Sequence, residues 1–207
     1  MELSITLVLI AITVLVSMAA FQDHSVFEKL LFSPYAVQHR NQLYRMFSHG
    51  FIHADTMHLV VNMFVLWSFG TSVEALYPLV AKMPGSVAYL VLYFGGMFFA
   101  TLPGMAKHRE NPGYRSVGAS GAVSAVVFAQ ILMLPTNKVS LFFIADLPAW
   151  LFGILYLAYS YAMDKRGGDH VAHDAHFYGA IFGVLFTFVL RPALVFDFGV
   201  LERSLGM

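Results

Sequence analysis

Four polar residues interrupt otherwise hydrophobic segments of the chain, and their types are the ones that acyl transfer needs. Ser120 lies in a Gly-Ala-Ser-Gly sequence at residues 118–121, and His176 lies near the start of another apolar segment. His58 and Asn62 are one helical turn apart in a third apolar segment. A serine can act as a nucleophile when a histidine accepts its proton, and amide or imidazole N–H groups can stabilise the oxyanion that forms. Because polar side chains inside membrane helices are usually functional, these four residues are the candidate site.

The composition predicts that this site lies in a membrane. The chain has 207 residues, of which 58% are hydrophobic and 12% are charged, whereas soluble domains carry about 25% charged residues. The formal net charge is +0, so the basic face that a nucleic-acid partner would require is missing. The sequence contains no cysteine, which excludes disulfides, thiol catalysis and thiolate metal ligands. We therefore expect a lipid bilayer, and no nucleic acid, as the surroundings of this protein.

Six apolar segments are about long enough to cross a membrane as helices, which takes roughly 20 residues. They predict an all-α membrane protein, a single polytopic domain over residues 1–207 with a six-transmembrane-helix bundle. Strands are not favoured, and Pro148 is expected in the first turn of the fifth helix. The first segment follows Glu2 and no basic residue, so it is interpreted as a retained span and not as a signal peptide. The predicted spans are at about residues 3–21, 57–77, 86–105, 116–134, 147–163 and 175–196.

The connection at residues 22–56 contains many large apolar side chains, among them Phe32, Met46 and Ile52. A flexible polar loop would not carry so many. We therefore predict an ordered element that lies partly in the membrane interface.

Small residues allow the serine and histidine helices to approach each other closely. Gly179 and Gly183 lie four residues apart after His176 and predict a face that packs against Gly121 and Ala125 of the serine helix. If both helices start on the same side of the membrane, Ser120 and His176 lie at similar depth. Close packing there would permit the hydrogen bond of about 2.6–3.2 Å that a nucleophile and its base require.

Three motifs together resemble the rhomboid family of intramembrane serine proteases over essentially the whole chain. They are Gly-Ala-Ser-Gly at residues 118–121, His58-x-x-x-Asn62 and Ala-His-x-x-Gly at residues 175–179. Weaker matches are Tyr-Arg at residues 44–45 and Gly-x-x-x-Glu at residues 70–74. The resemblance implies a six-span core and cleavage of single transmembrane helices in substrate proteins.

The resemblance also implies a role for each site residue. Ser120 would be the nucleophile and His176 the general base, without an acidic third member. Asn62 and His58, with the Ser120 backbone N–H, would bind the oxyanion. Gly118, Gly121 and Gly179 would support the site, and no metal or cofactor would be needed. The natural substrate and the oligomeric state remain open.

Three positions depart from the family pattern. Ser124 stands where bacterial members often place an aromatic residue that packs on the base histidine. Val171 stands where a glycine is often found, and Tyr44 replaces the tryptophan of the familiar Trp-Arg pair. We expect another neighbour, such as Phe177 or Tyr178, to hold His176.

The orientation has two conflicting indications. The resemblance implies a bacterial inner membrane with both termini in the cytoplasm. With six spans, the positive-inside rule favours the reverse, because eight basic residues lie on the side opposite the termini and four on the terminal side. We follow the resemblance, because an ordered interfacial loop weakens a simple charge count. The eight are Lys29, Arg40, Arg45, Lys107, Arg109, Arg115, Lys165 and Arg166, and the four are Lys82, Lys138, Arg191 and Arg203.

Three other interpretations remain. His170, His173 and His176 could suggest a metal site, but in a regular helix the first and last of them point in different directions. Asp174 would face away from His176 and is not expected to act with it. A transporter would use Glu74 and Arg191 as pathway charges, although no inverted repeat is visible. A catalytically inactive rhomboid-like protein that binds membrane helices is the third.

Overall fold

The computed structural model of the chain describes residues 3–141, 145–166, 173–196 and 199–206. Helices dominate it, which confirms the predicted fold class of a helical membrane protein. A 3-10 helix at His49–Phe51 follows α4, and two strands, β1 (Lys138–Leu141) and β2 (Ala145–Pro148), lie between α7 and α8. The α-helices are α1 (Ile5–Gln22), α2 (His24–Leu30), α3 (Pro34–Arg40), α4 (Arg45–Ser48), α5 (Thr56–Val80), α6 (Gly85–His108), α7 (Ser120–Met133), α8 (Ala149–Arg166), α9 (His173–Leu190), α10 (Ala193–Phe196) and α11 (Val200–Ser204).

Six of these helices lie where apolar spans were predicted. Helices α1, α5 and α6 have 18, 25 and 24 residues and are long and apolar enough to cross a membrane, whereas the apolar parts of α7, α8 and α9 are shorter. Large hydrophobic side chains such as Leu15, Trp67 and Val189 remain exposed on the outer faces of the bundle, as expected where lipid covers the protein. Six complete crossings and a single domain remain predictions.

Two predicted span boundaries differ from the helices. The span at residues 147–163 corresponds to α8, but Pro148 is the last residue of β2 and the helix begins only at Ala149. The span at residues 175–196 was expected to be interrupted by Arg191 and Pro192, and α9 does end at Leu190. Pro192 has no backbone N–H to continue the helical hydrogen bonds, so the chain breaks there before the short α10.

The strands between α7 and α8 were not predicted. They pair antiparallel, with Lys138 opposite Pro148 and Leu141 opposite Ala145. Ser140 donates a hydrogen bond across the pair to Asp146. Each strand has four residues, which is too short to stand out from the long apolar runs by its own pattern.

Helix α7 occupies the centre of the bundle. Its residues from Gly121 to Ala129 are all buried, and the main hydrophobic core draws on α1, α5, α6, α7 and α9. A helix that is apolar all round is buried all round. Ser120 therefore stands at the end of the most enclosed helix of the protein.

The connection between α1 and α5, here called loop 1 (residues 23–55), is ordered, as predicted. Phe32 and Ile52 are buried within it. Arg45 is buried as well, and its Nη1 donates to the carbonyls of Glu28 and Leu31 at 2.9 and 2.6 Å. A guanidinium that meets backbone carbonyls in this way ties α4 to the end of α2. Loop 1 is thus a folded element that can position other residues.

Two charged residues at the opposite end of the bundle have structural partners. The Glu74 carboxylate accepts four hydrogen bonds of 2.6–3.0 Å from the start of α1, two from backbone N–H groups and two from the hydroxyls of Ser4 and Thr6. Arg191 donates from Nη1 to the Leu79 carbonyl at 2.7 Å. These contacts weigh against the transporter interpretation, in which both charges would face a solute pathway.

Candidate active site

Ser120 is the first residue of α7, and not a residue one turn into a longer helix as the predicted span 116–134 implied. The residue two positions before it, Gly118, has a φ of 114°, a conformation that side chains disfavour and that ends any helix running through it. A Cβ at Gly118 would also lie 2.6 Å from Cε1 of His58. Glycine is therefore required at this position for both its backbone conformation and its packing. The first N–H groups of a helix have no partner within the helix, so the Ser120 N–H is available to a ligand.

The four residues before Ser120, here called the serine turn (residues 116–119), are held by loop 1. Phe32 and Ser116 exchange two backbone hydrogen bonds of 2.9 and 3.1 Å. The Gly118 N–H donates to the His49 carbonyl at 3.0 Å, and the Ala119 N–H points to Nε2 of His53 at 3.4 Å. Loop 1 thus meets three of the four residues of this turn through hydrogen bonds.

The contacts of His53 define its tautomer. Ser17 of α1 donates its hydroxyl proton to the Phe51 carbonyl at 3.0 Å, so its oxygen accepts from Nδ1–H of His53, also at 3.0 Å. The other ring nitrogen, Nε2, is then free to accept from Ala119. Burial lowers the pKa of His53 to about 3, with the neighbouring His58 as a smaller cause. His53 is accordingly neutral and links α1 to the serine turn.

His58 and Asn62 reach the same region from the start of α5. The His58 ring lies against Gly118, and it meets the His53 ring edge-on with 5.0 Å between the centroids. Asn62 is buried, and its Nδ2 donates to the carbonyl of His58 at 2.8 Å. An amide nitrogen carries two protons, so the second remains for another acceptor. The structure therefore brings His58 next to the serine turn, and Asn62 one helical turn further along α5.

The predicted packing of the histidine helix on the serine helix is confirmed. A Cβ at Gly179 would collide with the backbone carbonyl of Gly121, and one at Gly183 would collide with the carbonyl of Ala125. Glycine at both positions lets α9 touch the backbone of α7 directly. Gly121 in turn faces Ala100 of α6, where a Cβ would also collide.

Ser120 and His176 form a hydrogen bond. The distance between Ser120 Oγ and His176 Nε2 is 2.7 Å, and both side chains are half-buried. This distance falls within the range over which a base can accept the proton of a nucleophile. The arrangement can therefore raise the nucleophilicity of a serine that is neither fully exposed nor fully enclosed.

Asp174 has a different partner. Its Oδ2 forms an ion pair with Nζ of Lys107 at 2.9 Å, and its Oδ1 accepts from the Ala175 N–H at the start of α9. This agrees with the expectation that Asp174 does not complete a triad with His176.

The metal interpretation finds no support in the part of the chain that can be examined. Within the described ranges, no group of three or more histidine, aspartate and glutamate side chains could hold a metal ion. His170 lies outside the described residues, and His173 lies at the first position of α9. The proposed cluster of His170, His173 and His176 is therefore not tested as a whole.

Among the described residues, an aromatic neighbour of His176 comes from a helix that the sequence did not indicate. Tyr156 of α8 stacks on the His176 ring with 6.3 Å between the centroids and 24° between the planes. Its hydroxyl is 2.8 Å from Oγ of Ser124, the position where the family often has an aromatic residue. Phe177 or Tyr178 was expected in this role, but among the described ring contacts they pair with each other, and the His176 ring pairs with Tyr156. Val171 lies outside the described residues.

Sequence reasoning overlooked Ser17, His49, His53 and Tyr156. The spacing of the histidines was a usable signal, because His49, His53 and His58 follow one another within ten residues of a largely apolar stretch. Burial lowers the pKa of His49 to about 4, as expected of an interior histidine kept neutral. For Ser17 and Tyr156 there was no local signal, because each meets its partner from a distant helix.

Fold and site together define a helical membrane protein with a hydrogen-bonded serine and histidine on two closely packed helices. A rhomboid domain matches residues 40–193, and the chain belongs to the rhomboid family. It is 31% identical over 150 residues, 67% of its length, to RHOMBOID-like protein 12, mitochondrial, of Arabidopsis thaliana. It is 32% identical over 144 residues, 65% of its length, to Presenilin-associated rhomboid-like protein A, mitochondrial, of Danio rerio. It is 30% identical over 153 residues, 70% of its length, to Rhomboid protein 1, mitochondrial, of Saccharomyces cerevisiae.

These matches span less than half of each relative. They cover 44%, 34% and 41% of the Arabidopsis, zebrafish and yeast proteins. The relatives therefore establish the family of the membrane domain. The activity of this chain has to be argued from its own residues.

Proposed function

We propose that this protein is an intramembrane serine endopeptidase that cleaves transmembrane helices of other proteins. The observation that carries the proposal is the 2.7 Å hydrogen bond between Ser120 Oγ and His176 Nε2. Ser120 attacks the carbonyl carbon of the scissile peptide bond while His176 takes the hydroxyl proton. His176 then gives that proton to the leaving amine, which leaves an acyl-enzyme ester on Ser120. A water molecule, deprotonated by His176, attacks the ester and restores the serine.

The tetrahedral intermediate carries a negative oxygen that needs hydrogen-bond donors. The Ser120 N–H is unpaired within its helix, and the His58 ring lies against the serine turn. The second amide proton of Asn62 is the third donor. Together they form the oxyanion hole, in which the loss of one donor typically costs roughly 10²–10³ in rate.

The substrate class follows from family membership and from the physics of peptide bonds in membranes. A peptide bond inside a helix is hydrogen-bonded and sterically shielded, so a substrate helix must unwind locally before Ser120 can reach its carbonyl. Segments with helix-destabilising residues near the cleavage site are therefore the preferred substrates.

The decisive experiment labels the purified protein with a fluorescent fluorophosphonate. The wild type should be labelled, and Ser120→Ala should lose both labelling and cleavage of a fluorogenic single-helix substrate in detergent. A Ser120→Ala protein that still cleaves near the wild-type rate would contradict the proposal. A wild type that binds the substrate helix but neither labels nor cleaves would favour the inactive, helix-binding alternative.

Chelation separates the proposal from the metal interpretation. Ser–His chemistry needs no ion, so EDTA should leave cleavage unchanged. Loss of activity with EDTA and its recovery with zinc would favour a site built from His170, His173 and His176.

Asn62→Ala should lower kcat by roughly 10–10³ while the melting temperature in detergent stays within a few degrees. The expectation rests on its position one turn from His58 on α5, where its side chain is buried and donates to the His58 carbonyl. Rate and melting temperature should be measured on the same preparation. Full activity per folded molecule in this variant would remove Asn62 from the oxyanion hole.

We also propose a single membrane domain of six spans in a bacterial inner membrane, with both termini on the cytoplasmic side. Family membership supports the topology, although the relatives named above are mitochondrial. Reporter fusions at residue 138, in the β1–β2 hairpin, and in loop 1 should report opposite sides of the membrane. The same side for both would overturn the topology.

A further inference from the structure

The base histidine is contacted by a ring from a helix that carries none of the proposed catalytic groups. Tyr156 lies in the middle of α8, and its ring is nearly parallel to that of His176, at 24°, with 6.3 Å between the centroids. Phe128 and Phe152 flank the Tyr156 ring with centroid distances of 5.7 and 6.1 Å. Tyr156 therefore fills the space between the aromatic core of α7 and α8 and one face of the imidazole.

The Tyr156 ring is itself fixed by a hydrogen bond. Its hydroxyl is 2.8 Å from Oγ of Ser124, which is buried one turn after Ser120 on α7. The neighbours of Ser124 on α7 are apolar, among them Ala125 and Val126. A hydroxyl buried in such surroundings costs free energy unless it is paired. The hydroxyls of Ser124 and Tyr156 thus satisfy each other's hydrogen-bonding requirement. Their hydrogen bond fixes the position and the angle of the Tyr156 ring relative to His176.

We propose that Tyr156 is a positioning residue of His176 and that Ser124 holds Tyr156 in the orientation this requires. The inference rests on the proposed function. The imidazole must keep Nε2 directed at Ser120 Oγ through the whole reaction, and rotation about its χ2 angle would turn Nε2 away. A flat ring packed on one face opposes that rotation, because aromatic pairs have preferred geometries and a close neighbour excludes others. Position 124, four residues after the nucleophile, can therefore be a serine in this chain, because Tyr156 of α8 supplies the aromatic ring.

The test compares kcat and KM for a fluorogenic single-helix substrate in four variants. Tyr156→Leu removes the ring, and kcat should fall by roughly 10–100-fold with KM within about twofold, because the base is misaligned while the substrate still binds. Tyr156→Phe keeps the ring and loses the hydroxyl, so kcat should fall by no more than about threefold, the effect of one neutral hydrogen bond between membrane helices. Ser124→Ala should match Tyr156→Phe. The double variant Ser124→Ala with Tyr156→Phe should be no slower than either single variant, because the same hydrogen bond is lost in all three.

Trp150→Leu is the matched control. It removes an aromatic ring from the same helix whose side chain is 44% exposed, and it should keep the wild-type kcat. Melting temperatures of all variants identify any that fail to fold. If Tyr156→Leu unfolds, the comparison of Tyr156→Phe, Ser124→Ala and the double variant decides.

Four results would overturn the inference. Three concern kcat: a wild-type kcat in Tyr156→Leu, equal losses in Tyr156→Phe and Tyr156→Leu, and additive losses in the double variant. The fourth is a change in KM alone, which would make Tyr156 a substrate contact instead. The rate of fluorophosphonate labelling gives the same comparison without a substrate helix. Failure of the proposed function is recognised separately, because it would appear as labelling or cleavage that survives Ser120→Ala.

Discussion

The serine turn and the first turns of α9 meet at the site, but different kinds of contact hold them there. The serine turn is attached to loop 1 by backbone hydrogen bonds to Phe32 and His49 and by a contact to the His53 ring. Helix α9 rests on α7 through the bare backbones of Gly179 and Gly183. One partner of the proposed catalytic pair, Ser120, is thus positioned by directional polar contacts, and the other, His176, by close apolar packing.

The difference follows from the local backbone of each partner. The serine turn is not helical, so its N–H and C=O groups must find partners outside the turn, and unpaired backbone groups are costly in or near a membrane. Loop 1 supplies those partners. His176 lies on a regular helix, so its position depends on how closely α9 packs against α7. The folded loop 1 therefore positions Ser120, and the glycines of α9 position His176.

Breaking the apolar contact between α7 and α9 should cause the largest loss of kcat. Gly179→Ala places a Cβ against the carbonyl of Gly121, so α9 must move away from α7 and His176 away from Ser120. A displacement of about 1 Å can cost about 10² in rate, and we expect a loss of kcat of that size with a melting temperature lower by several degrees.

Gly153→Ala is the control for this prediction. It adds the same methyl group to a helix in the same bundle, where it would meet the flexible end of the Ile131 side chain at 3.1 Å. It should leave kcat near the wild-type value. Equal kcat values for Gly179→Ala and Gly153→Ala would show that direct backbone contact between α7 and α9 is not needed for catalysis.

Weakening the attachment of the serine turn to loop 1 should lower kcat by less, because several hydrogen bonds hold the turn and only some of them are lost. Ser17→Ala removes the acceptor of His53 Nδ1–H and the donor to the Phe51 carbonyl. Neutral hydrogen bonds between membrane helices average about 0.6 kcal/mol each, so the loss of both corresponds to a factor of roughly 8 in rate. We expect kcat to fall by about that factor with KM unchanged, measured with the same fluorogenic substrate.

Ser68→Ala is its matched control, because the Ser68 hydroxyl bonds only to Phe64 of its own helix among the described contacts and is exposed. If both serine variants behave like the wild type, the link from α1 through His53 does not position the serine turn.

The same division explains what the sequence could predict. The apolar side of the site was predictable, because Gly179 and Gly183 are repeated at helical spacing and so define a face of α9 without any knowledge of the fold. The candidate pair and the candidate oxyanion residues were recognisable from motifs of a few residues. Element positions followed from apolar runs of membrane length.

The hydrogen bonds that attach the serine turn to loop 1 were not predictable in the same way. Hydrogen bonds such as Gly118 to His49 or Ala119 to His53 join residues about 70 positions apart, and no periodic pattern encodes them. The helix start at Ser120 depends on the φ of Gly118, which is fixed by those contacts. Tyr156 was missed for the same reason, because its hydroxyl partner is on another helix.

Lowering the pH should weaken the loop 1 attachment of the serine turn, because that attachment contains two buried histidines, whereas the glycine contacts of α9 contain no titrating group. Burial lowers the pKa of His49 to about 4 from 6.5, and that of His53 to about 3. Well above pH 6.5 both histidines are neutral in the folded and unfolded states. Between pH 6.5 and about 4 the unfolded chain binds protons that the folded protein excludes, so the free energy of unfolding falls as the pH falls. From pH 6.5 to 4.5 each histidine should contribute a loss of about 2–3 kcal/mol, or roughly 5–10 °C in melting temperature.

The substitution His49→Leu should remove about half of that acid-induced fall. It leaves the backbone carbonyl that accepts from Gly118 in place, so the serine turn keeps this attachment while one titrating group is lost. The control is His24→Leu, which removes a histidine of loop 1 whose side chain is 82% exposed and should keep the wild-type dependence on pH. Melting curves at pH 6.5, 5.5 and 4.5 in one detergent measure the effect. A fall in His49→Leu as steep as in the wild type would mean that His49 already takes up a proton in the folded protein, and that the acid sensitivity of the loop 1 attachment arises elsewhere.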